Sequence, residues 1–460
     1  MTKLDDYRAF LMEKKAVAQS SGFEPNTLPN HLFDFQQECV AFCLRQGRAG
    51  LYLDTGLGKS RCQLEWLAQS AEHSNGRALL LTPLAVAKQI EREAKSLGYD
   101  ARVIRDQSQA KDGINICNYD RLDKIDVDAF GAVSIDESSI LKSFNGKTTR
   151  ALIGMFAHHR FRLSATATPA PNDHMELGNQ SDFLGIMPAN EMLMRWFIND
   201  TAEASQQWRL KGHAADDFWD WMASWSRMAQ GPEDLGFDGS RYILPPLNVI
   251  RHKAAGSNIK PMDGSLFAAD VSATNMHDLK RQTAAARADI IAACSDNDDP
   301  FIVWTDTDYE ADAVKARLPD AVEVRGSMPI ERKEENLEAF ALGQARVIIT
   351  KPSVAGFGLN WQHAPQMGFV GRSFSYESWY QAVRRSWRFG QTKPVTVHIA
   401  VAEGEDQIGR VIDRKASDHD AMRASMTKAM RRAVNRDTAK KISYHPTFDG
   451  RIPSWLISAA

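Results

Sequence analysis

The chain has 460 residues, of which 56 are Lys or Arg and 58 are Asp or Glu, so its formal net charge is −2. This balance excludes a histone-like or wholly basic binding protein, although a basic cleft offset by an acidic exterior stays open. Hydrophobic residues make up 43% and charged residues 25%, which excludes wholesale disorder. The length predicts about two to four domains.

Short apolar runs alternate with helical segments along most of the chain, and the whole pattern occurs twice. Buried strands separated by helices are typical of α/β domains, so the sequence predicts two α/β units with parallel sheets. In the first unit we expect strands at 49–53, 78–82, 114–118, 132–135 and 161–164, with helices at 61–72 and 85–97. In the second we expect strands at 301–304, 321–324, 347–350, 367–370 and 395–400, with helices at 331–342 and 375–388.

The predicted domain bounds follow from this pattern. Residues 1–184 form the first α/β domain, 185–284 a mostly helical insert and linker, 285–408 the second α/β domain, and 409–460 a basic helical extension. The insert is rich in tryptophan, which can stack on nucleic-acid bases. Because Trp is strongly buried on average, we expect core packing instead. The residues concerned are Trp196, Trp208, Trp219, Trp221 and Trp225.

Cysteine usage and hydropathy bear on the compartment. The chain has five cysteines, an odd number, and no Cys-x-x-Cys pair. This spacing argues against a disulfide framework and against a zinc site, and favours free, buried thiols in a reducing cytoplasm. No apolar run reaches 18 residues, so we expect no membrane-spanning helix and no membrane partner.

A glycine-rich loop at residues 54–60 is the strongest single signal. It reads Asp54-Thr55-Gly56-Leu57-Gly58-Lys59-Ser60 and lies between a predicted strand and a predicted helix, the context that a phosphate-binding loop requires. The glycines let backbone N–H groups approach phosphates, and the helix N-terminus favours negative charge. In this interpretation Lys59 binds the β- and γ-phosphates and Ser60 ligates Mg²⁺. Leu53 stands where the first glycine of the usual pattern belongs.

Two acidic residues follow a later strand of the same unit. The run Ala132-Val133-Ser134-Ile135 ends in Asp136 and Glu137. After a phosphate loop in one α/β domain, this pair predicts that Asp136 holds Mg²⁺ and that Glu137 orients or deprotonates the attacking water.

Together these motifs resemble those of superfamily-two helicases, and within them the Swi/Snf-type DNA-dependent ATPases, in a compact bacterial or phage-type form. Motif II here has Ser138-Ser139 after the acidic pair, where the family usually has Ala-His. Further matches are Leu32 to Gln36 (Q-motif), Thr82 to Gln89 (motif Ia), Lys142 after motif II, Ser164 to Asn172 (motif III), Ala355 to Asn360 (motif V) and Gln381 to Gln391 (motif VI).

The resemblance implies two RecA-like domains with ATP and Mg²⁺ bound in the cleft between them. It assigns nucleotide binding to Gln36, to each residue of the loop from Asp54 to Ser60, and to Gln381. It assigns nucleic-acid contact to a scattered set from motifs Ia, II, III and V. These residues are Thr82, Pro83, Lys142, Thr166 and Gly356.

Two arginines of motif VI are candidate arginine fingers. Arg385 and Arg388 are three residues apart, so we expect both on one helix face, directed at the γ-phosphate. Arg384 does not fit these positions, and we interpret it as part of a solvated basic face or as a contact to phosphate backbone.

The predicted function is ATP-dependent movement along duplex DNA, with single-stranded DNA as an open alternative and RNA as the less favoured partner. A strand-separating helicase would use the same motor, and a nucleotide-gated DNA-binding module with weak turnover is a more distant alternative. The extension from Arg410 to Lys441 carries ten basic residues and four Asp. Its charge favours either a helix along nucleic-acid phosphates or a solvated helix packed over the second unit.

Overall fold

The computed structural model describes residues 17–143, 146–171, 173–200, 207–254, 273–355, 360–402 and 406–439. The chain forms two parallel sheets, which we call, with their helices, the first and second units. The first sheet has seven strands in the order β3-β4-β2-β5-β6-β1-β9. Its strands are β1 (Arg48–Leu53), β2 (Arg77–Thr82), β3 (Ala101–Val103), β4 (Gly113–Asn118), β5 (Ala132–Asp136), β6 (Phe161–Ala165) and β9 (Ser226–Ala229).

Helices cover both faces of this sheet, which explains why its strands are apolar throughout. They are α1 (Asp34–Gln46), α2 (Lys59–Glu72), α3 (Leu84–Ser96), α4 (Lys147–Met155), α5 (Glu176–Leu184), α6 (Ala189–Trp196) and α7 (Ala215–Trp225). A separate hairpin pairs β7 (Phe197–Asp200) with β8 (Gln207–Leu210).

The second sheet has six strands in the order β10-β15-β14-β11-β13-β12, again all parallel. The strands are β10 (Leu247–Lys253), β11 (Phe301–Trp304), β12 (Val322–Val324), β13 (Val347–Thr350), β14 (Gln366–Phe369) and β15 (Val395–Val401). The helices are α8 (Ala273–Cys294), α9 (Asp308–Lys315), α10 (Ile330–Ala341), the single turn α11 (Pro352–Ala355), α12 (Tyr376–Val383) and α13 (Asp406–Ala439).

The predicted fold class, an α/β chain with two tandem parallel sheets, is confirmed. Each expected strand is present within about two residues, because short runs buried on both faces leave a clear apolar signal. The sequence missed β3, β9 and the β7–β8 hairpin. Each of these elements has only three or four residues, too few for a pattern to emerge.

The segment predicted as an insert contributes a strand to each sheet. β9 pairs with β1 at the edge of the first sheet, and β10 pairs with β15 at the edge of the second. Sheet membership therefore differs from the predicted bounds at 184 and 285: the first unit extends to about residue 229 and the second begins by residue 247. The tryptophans pack in the core as expected, and Trp196 stacks on Trp221 with ring centroids 4.6 Å apart.

The basic C-terminal helix α13 bridges both units. Ile412 packs with Tyr376 and Tyr380 of the second unit, whereas Met426 and Met430 belong to the core of the first. Packing against the first unit was not among the two alternatives drawn from the sequence. It follows from the apolar stripe on one face of the helix and from acidic partners on the first unit. These partners are Asp234 for Arg431, and Asp216 and Asp220 for Arg432.

Two simpler expectations are also met within the part of the chain that the structure describes. All five cysteines are free thiols, and four of them are buried. No helix among the described residues is long and apolar enough to cross a membrane.

The docking of α13 is testable through Met426, which is fully buried. We expect Met426→Ala to lower the free energy of unfolding by about 2–5 kcal/mol, because truncation leaves a cavity between α13 and the first unit. Chemical denaturation measures this loss. The matched control is Met194→Ala, since Met194 is 66% exposed. Equal stability of the two variants would contradict the docking of α13.

Candidate active site

The carboxyl ends of four neighbouring strands of the first sheet meet at one edge, and a polar residue stands at each. β2 ends at Thr82 and β5 at Asp136, while β6 and β1 lead directly into Thr166 and Asp54. Because these strands are parallel and adjacent, their ends lie side by side, where ligands bind in open α/β sheets. The predicted phosphate loop and carboxylate pair are therefore brought together.

The phosphate loop connects β1 to α2, as predicted. Gly56 and Gly58 have φ values of +94° and +78°, a left-handed region that favours glycine. Gly58 also has no room for a side chain, since a Cβ there would lie 2.2 Å from Gln36 Nε2. Lys59 begins α2, so the free backbone N–H groups of its first turn and the positive end of the helix dipole lie at the loop. Such an arrangement of backbone N–H groups and helix dipole can bind a phosphate group.

Gln36 holds the phosphate loop in place through hydrogen bonds. Its Nε2 donates a hydrogen bond to the Leu57 carbonyl at 2.8 Å, and its Oε1 accepts one from the Phe33 backbone N–H at 2.9 Å. The side chain is 2% exposed. Gln36 thus positions the loop, and its expected contact with the nucleotide stays a prediction.

Asp136 has the surroundings of a metal-binding carboxylate. It is 3% exposed; Thr82 Oγ1 donates to its Oδ2 at 3.3 Å, while its buried Oδ1 has no hydrogen-bond partner among the described residues. Burial and the adjacent Glu137 raise the pKa of Asp136 to about 7, while Lys59 acts to lower it. A divalent cation would neutralise this charge and use the free oxygen.

These residues fit a magnesium–nucleotide complex. Lys59 Nζ and Ser60 Oγ have no hydrogen bond or ion pair within the described part of the chain, and both belong to the first turn of α2. With the orphaned Asp136 oxygen, they provide the ammonium, the hydroxyl and the carboxylate that Mg²⁺ and phosphates require.

Glu137 is held in a strained backbone conformation. Its φ of +50° and ψ of +51° make it the one non-glycine residue with positive φ in the described ranges. Such a conformation costs about 1–3 kcal/mol and persists where the surroundings impose it. The Glu137 carboxylate lies in the interdomain cleft, and its Oε2 accepts a hydrogen bond from Thr166 Oγ1 at 3.4 Å.

A chain of hydrogen bonds connects this carboxylate to the second unit. Thr166 Oγ1 also accepts from the Thr168 backbone N–H at 3.1 Å, and Gln381 Nε2 donates to Thr168 Oγ1 at 3.4 Å. Gln381 Oε1 in turn accepts from an Arg385 guanidinium nitrogen at 3.0 Å. Both the amide nitrogen and the amide oxygen of Gln381 therefore bond to protein groups. We call this series of hydrogen bonds the Glu137–Arg385 relay. Nucleotide contact by Gln381 stays a prediction.

The two candidate arginine fingers do not lie on a helix face. α12 ends at Val383, five residues before its predicted end, and Arg385 and Arg388 belong to the turns that follow. After Val383 the backbone N–H groups of Arg385 and Ser386 donate to carbonyls only three residues back, and Arg385 Nε occupies the Gln381 carbonyl at 3.1 Å, so the α-helical hydrogen-bond pattern ends there.

Both arginines nevertheless lie within electrostatic range of Glu137. The pKa values of Arg385 and Arg388 lie below the ordinary arginine value, because burial lowers them more than the negative charge of Glu137 raises them. A guanidinium keeps its charge under such conditions. Two positive charges of the second unit therefore lie within the electrostatic reach of Glu137.

Asp54 is the centre of a buried charge cluster between the units. Its Oδ2 lies 3.0 Å from an Arg384 nitrogen, its Oδ1 accepts from the Tyr380 hydroxyl at 2.5 Å, and an Arg423 nitrogen of α13 lies 3.7 Å from Oδ1. The Thr55 backbone N–H also donates to Oδ1, at 2.6 Å. We call these four side chains, Asp54, Tyr380, Arg384 and Arg423, the Asp54 cluster.

The charge balance of this cluster favours ionised Asp54. Burial acts to raise its pKa, but Arg384, Arg423 and the Tyr380 hydroxyl outweigh burial, so the pKa of Asp54 is below the ordinary value. The expected nucleotide contact of Asp54 is not supported, because its carboxylate is already occupied by the second unit.

Three members of the Asp54 cluster were not predicted from the sequence to contact Asp54. Arg384 is 5% exposed, so its interpretation as a solvated face or a phosphate-backbone contact is wrong for this arrangement. Its guanidinium also donates to the Thr55 carbonyl at 2.9 Å. No single-sequence signal connects Arg384, Tyr380 and Arg423 to a residue more than 300 positions earlier.

The predicted nucleic-acid contacts divide into three groups. Thr82 and Thr166 are wholly buried, and their hydroxyls donate to the carboxylates of Asp136 and Glu137. In this arrangement their side chains are therefore not available for direct contact with a nucleic acid. Pro83 and Lys142 line a cavity of about 560 Å³ between the units. Gly356 lies outside the described residues.

Further ion pairs cross between the units. Lys142 Nζ lies 2.6 Å from Glu377, and on the outer surface Lys88 pairs with Glu334 and Arg92 with Glu338, each at 2.7 Å. Because the Lys88 and Arg92 side chains are mostly exposed, the outer two pairs add little stability to the contact between the units.

Comparison with known proteins establishes the fold. No protein-family model matches the chain, and no curated protein matches it. Among solved structures the chain is similar to S. cerevisiae Dbp5 bound to RNA and ADP BeF3, with a TM-score of 0.57 and 10% identity, covering 86% of this chain and 93% of that one. At this identity the likeness shows a shared fold with two parallel-sheet units and does not distinguish the Swi/Snf-type subgroup.

The raised pKa of Asp136 makes stability depend on pH. Between about 3.8 and about 7 the unfolded chain is ionised at this carboxyl while the folded protein keeps its proton, so stability falls as pH rises through this window. Asp136→Asn removes the effect. In the nucleotide-free protein, we expect the melting temperature of the variant relative to wild type to rise across the window and then level off. The exposed Asp320→Asn is the control, and parallel profiles for all three proteins would contradict the assignment.

If the Asp54 cluster holds the two units together, breaking it should increase the distance between them. Asp54→Asn leaves two buried guanidiniums without a counter-charge, which costs about 3–5 kcal/mol for a broken buried pair. We expect the units to separate, and small-angle scattering should record a larger radius of gyration. The control is Asp112→Asn, since Asp112 pairs with Arg77 on the surface and its side chain is 81% exposed. An unchanged radius for Asp54→Asn would contradict the cluster's role.

Proposed function

We propose that the chain is an ATP-dependent nucleic-acid motor that hydrolyses ATP in the cleft between its two units. One observation carries the proposal: the carboxylates Asp136 and Glu137 of the first unit lie within electrostatic range of Arg385 of the second, and a chain of hydrogen bonds connects Glu137 to Arg385. An ATPase whose catalytic groups are divided between two bodies can convert nucleotide state into relative motion.

Each residue has a distinct role in this proposal. Lys59 binds the terminal phosphates, and Ser60 and Asp136 hold Mg²⁺, which neutralises charge on the phosphates when bound. Glu137 positions the attacking water and accepts its proton. Arg385 and Arg388 stabilise charge on the transferred phosphoryl group, an effect worth about 10³–10⁵ in rate.

The Glu137–Arg385 relay supports coupling between hydrolysis and movement. Thr166 contacts the catalytic carboxylate, and Gln381 orients Arg385, so a change at one end alters the hydrogen bonds at the other. The Asp54 cluster is a second connection between the same two units. The nucleotide-bound and product states would differ in which of these contacts persist, and hence in the grip on the polynucleotide.

Duplex DNA is the proposed track, by which we mean the polynucleotide along which the motor moves. The Swi/Snf-type pattern of motifs III and VI supports it, and the 560 Å³ cavity lined by Pro83, Lys142 and Lys333 offers a place for backbone contact. Contacts of this kind are independent of sequence and sensitive to salt. Strand separation by the same motor is an alternative outcome.

RNA is the second candidate track. The observation that favours it is the similarity in fold to Dbp5, whose structure contains RNA. The motor residues are the same in both cases, so the distinction depends on which polynucleotide stimulates turnover.

Stimulated ATP turnover tests the motor and its track together. We expect duplex DNA to raise the ATPase rate and Lys59→Ala to abolish the activity, because the phosphates lose their ammonium partner. Lys111→Ala, which alters an exposed lysine outside the cleft, is the control. Rates are compared without polynucleotide and with single-stranded DNA, duplex DNA and RNA. Full turnover by Lys59→Ala would refute the motor, and stimulation by RNA alone would move the assignment to RNA.

The arginine finger has its own test. We expect Arg385→Ala to lower kcat by about 10³–10⁵ with little change in nucleotide affinity, since the residue acts on transition-state charge. Arg332→Ala is the control because Arg332 is exposed on the same unit. A loss of nucleotide binding with unchanged kcat would assign Arg385 to ground-state binding instead.

A further inference from the structure

Two histidines and a cysteine converge on the outer part of the second sheet, outside the ATPase cleft. His252 lies on the edge strand β10, His398 on the neighbouring strand β15, and Cys294 at the end of α8, which packs against β15. His252 Nε2 is 3.0 Å from His398 Nδ1 and 3.7 Å from Cys294 Sγ. The three donor atoms all lie within 4.8 Å of one another.

These separations match the edges of a metal coordination polyhedron. Zinc binds imidazole nitrogen at about 2.0–2.1 Å and thiolate sulfur at about 2.3 Å in tetrahedral geometry. At the tetrahedral angle, those bond lengths place two nitrogens about 3.3 Å apart and a nitrogen about 3.6 Å from the sulfur. The observed 3.0 and 3.7 Å lie close to these values, and the third separation, between Cys294 and His398, is within 4.8 Å.

A fourth side chain orients one of the ligands. His398 Nε2 lies 3.3 Å from Gln366 Oε1 on β14. A carbonyl oxygen only accepts, so Nε2 carries the proton and the lone pair of His398 is on Nδ1, which faces His252. Outer hydrogen bonds of this kind fix the tautomer of metal-binding histidines.

The accessibility of the cluster also suits an exchangeable ion. His252, Cys294 and His398 are each partly exposed, so an ion can reach them from solvent. The other four cysteines are buried in the first unit. β10 is an edge strand with mostly exposed side chains, and backbone pairing on one side holds it. A bound ion would fasten β10 and β15 to α8.

We propose that His252, Cys294 and His398 form a zinc site that fastens the edge strand β10 to the second unit, with water as the fourth ligand. Two nitrogens and one thiolate favour Zn²⁺ over Mg²⁺ or Ca²⁺, which prefer oxygen. The site was not expected from the cysteine spacing, because its ligands come from three elements far apart in sequence.

Cobalt binding by the untagged full chain tests the site. After chelator treatment, Co²⁺ is titrated into the protein, and the thiolate-to-cobalt charge-transfer band and the bound equivalents are measured. We expect wild type to bind one more equivalent than Cys294→Ala and to show a band that this variant lacks. Cys39→Ala, which removes a buried thiol from α1, should keep the band. An absent band in wild type, or equal binding by wild type and Cys294→Ala, would overturn the proposal.

A second variant keeps the test valid if Cys294→Ala folds poorly. Gln366→Leu retains all three ligands and removes only the partner of His398, so we expect Zn²⁺ affinity to weaken by about 10–100-fold. Zn²⁺ should also raise the melting temperature of wild type, and the rise should shrink in Gln366→Leu. Unchanged affinity in a folded Gln366→Leu would contradict the orienting role and with it the site. These readouts do not depend on ATP turnover.

Discussion

The ionised carboxylate of Asp54 is the constraint on which the arrangement of the two units depends. It lies at the start of the phosphate loop, and its counter-charges come from Arg384 after α12 and Arg423 of α13. A buried charge that loses its partner is costly, so the loop, the arginine-bearing turn and the C-terminal helix are held as one assembly. The basic composition of α13 thus serves packing between units, in addition to any contact with a polynucleotide.

The groups that we propose to be catalytic are arranged around this constraint. Parallel strands bring Asp136 and the strained Glu137 to one sheet edge, and the turn after α12 brings Arg385 opposite them. Thr166 and Gln381, each buried and each committed to protein partners, connect the two sides. Gln36, Thr166 and Gln381, which the motifs assign to ligand contact, also position neighbouring groups through their hydrogen bonds to protein.

The sequence was sufficient for the parts governed by local rules. Short apolar runs predicted the strands, and glycines before Lys59 predicted the loop, because burial on both faces and left-handed φ angles each demand particular residue types. Contacts between distant segments were not predictable: Arg384 was misinterpreted because its partner, Asp54, lies far away in the chain. The predicted helix through Arg388 ends early because the chain tightens after Val383, where backbone N–H groups bond three residues back and the Arg385 side chain takes the Gln381 carbonyl.

A double-mutant cycle between Asp54 and Arg384 tests the central claim most directly. The free energies of unfolding of wild type, Asp54→Asn, Arg384→Gln and the double variant are compared. If the buried pair holds the units together, the two substitutions should couple by about 1.5–3 kcal/mol, because either one alone already removes the interaction. Additive effects, within about 0.5 kcal/mol, would show that the two residues act independently and would contradict the account.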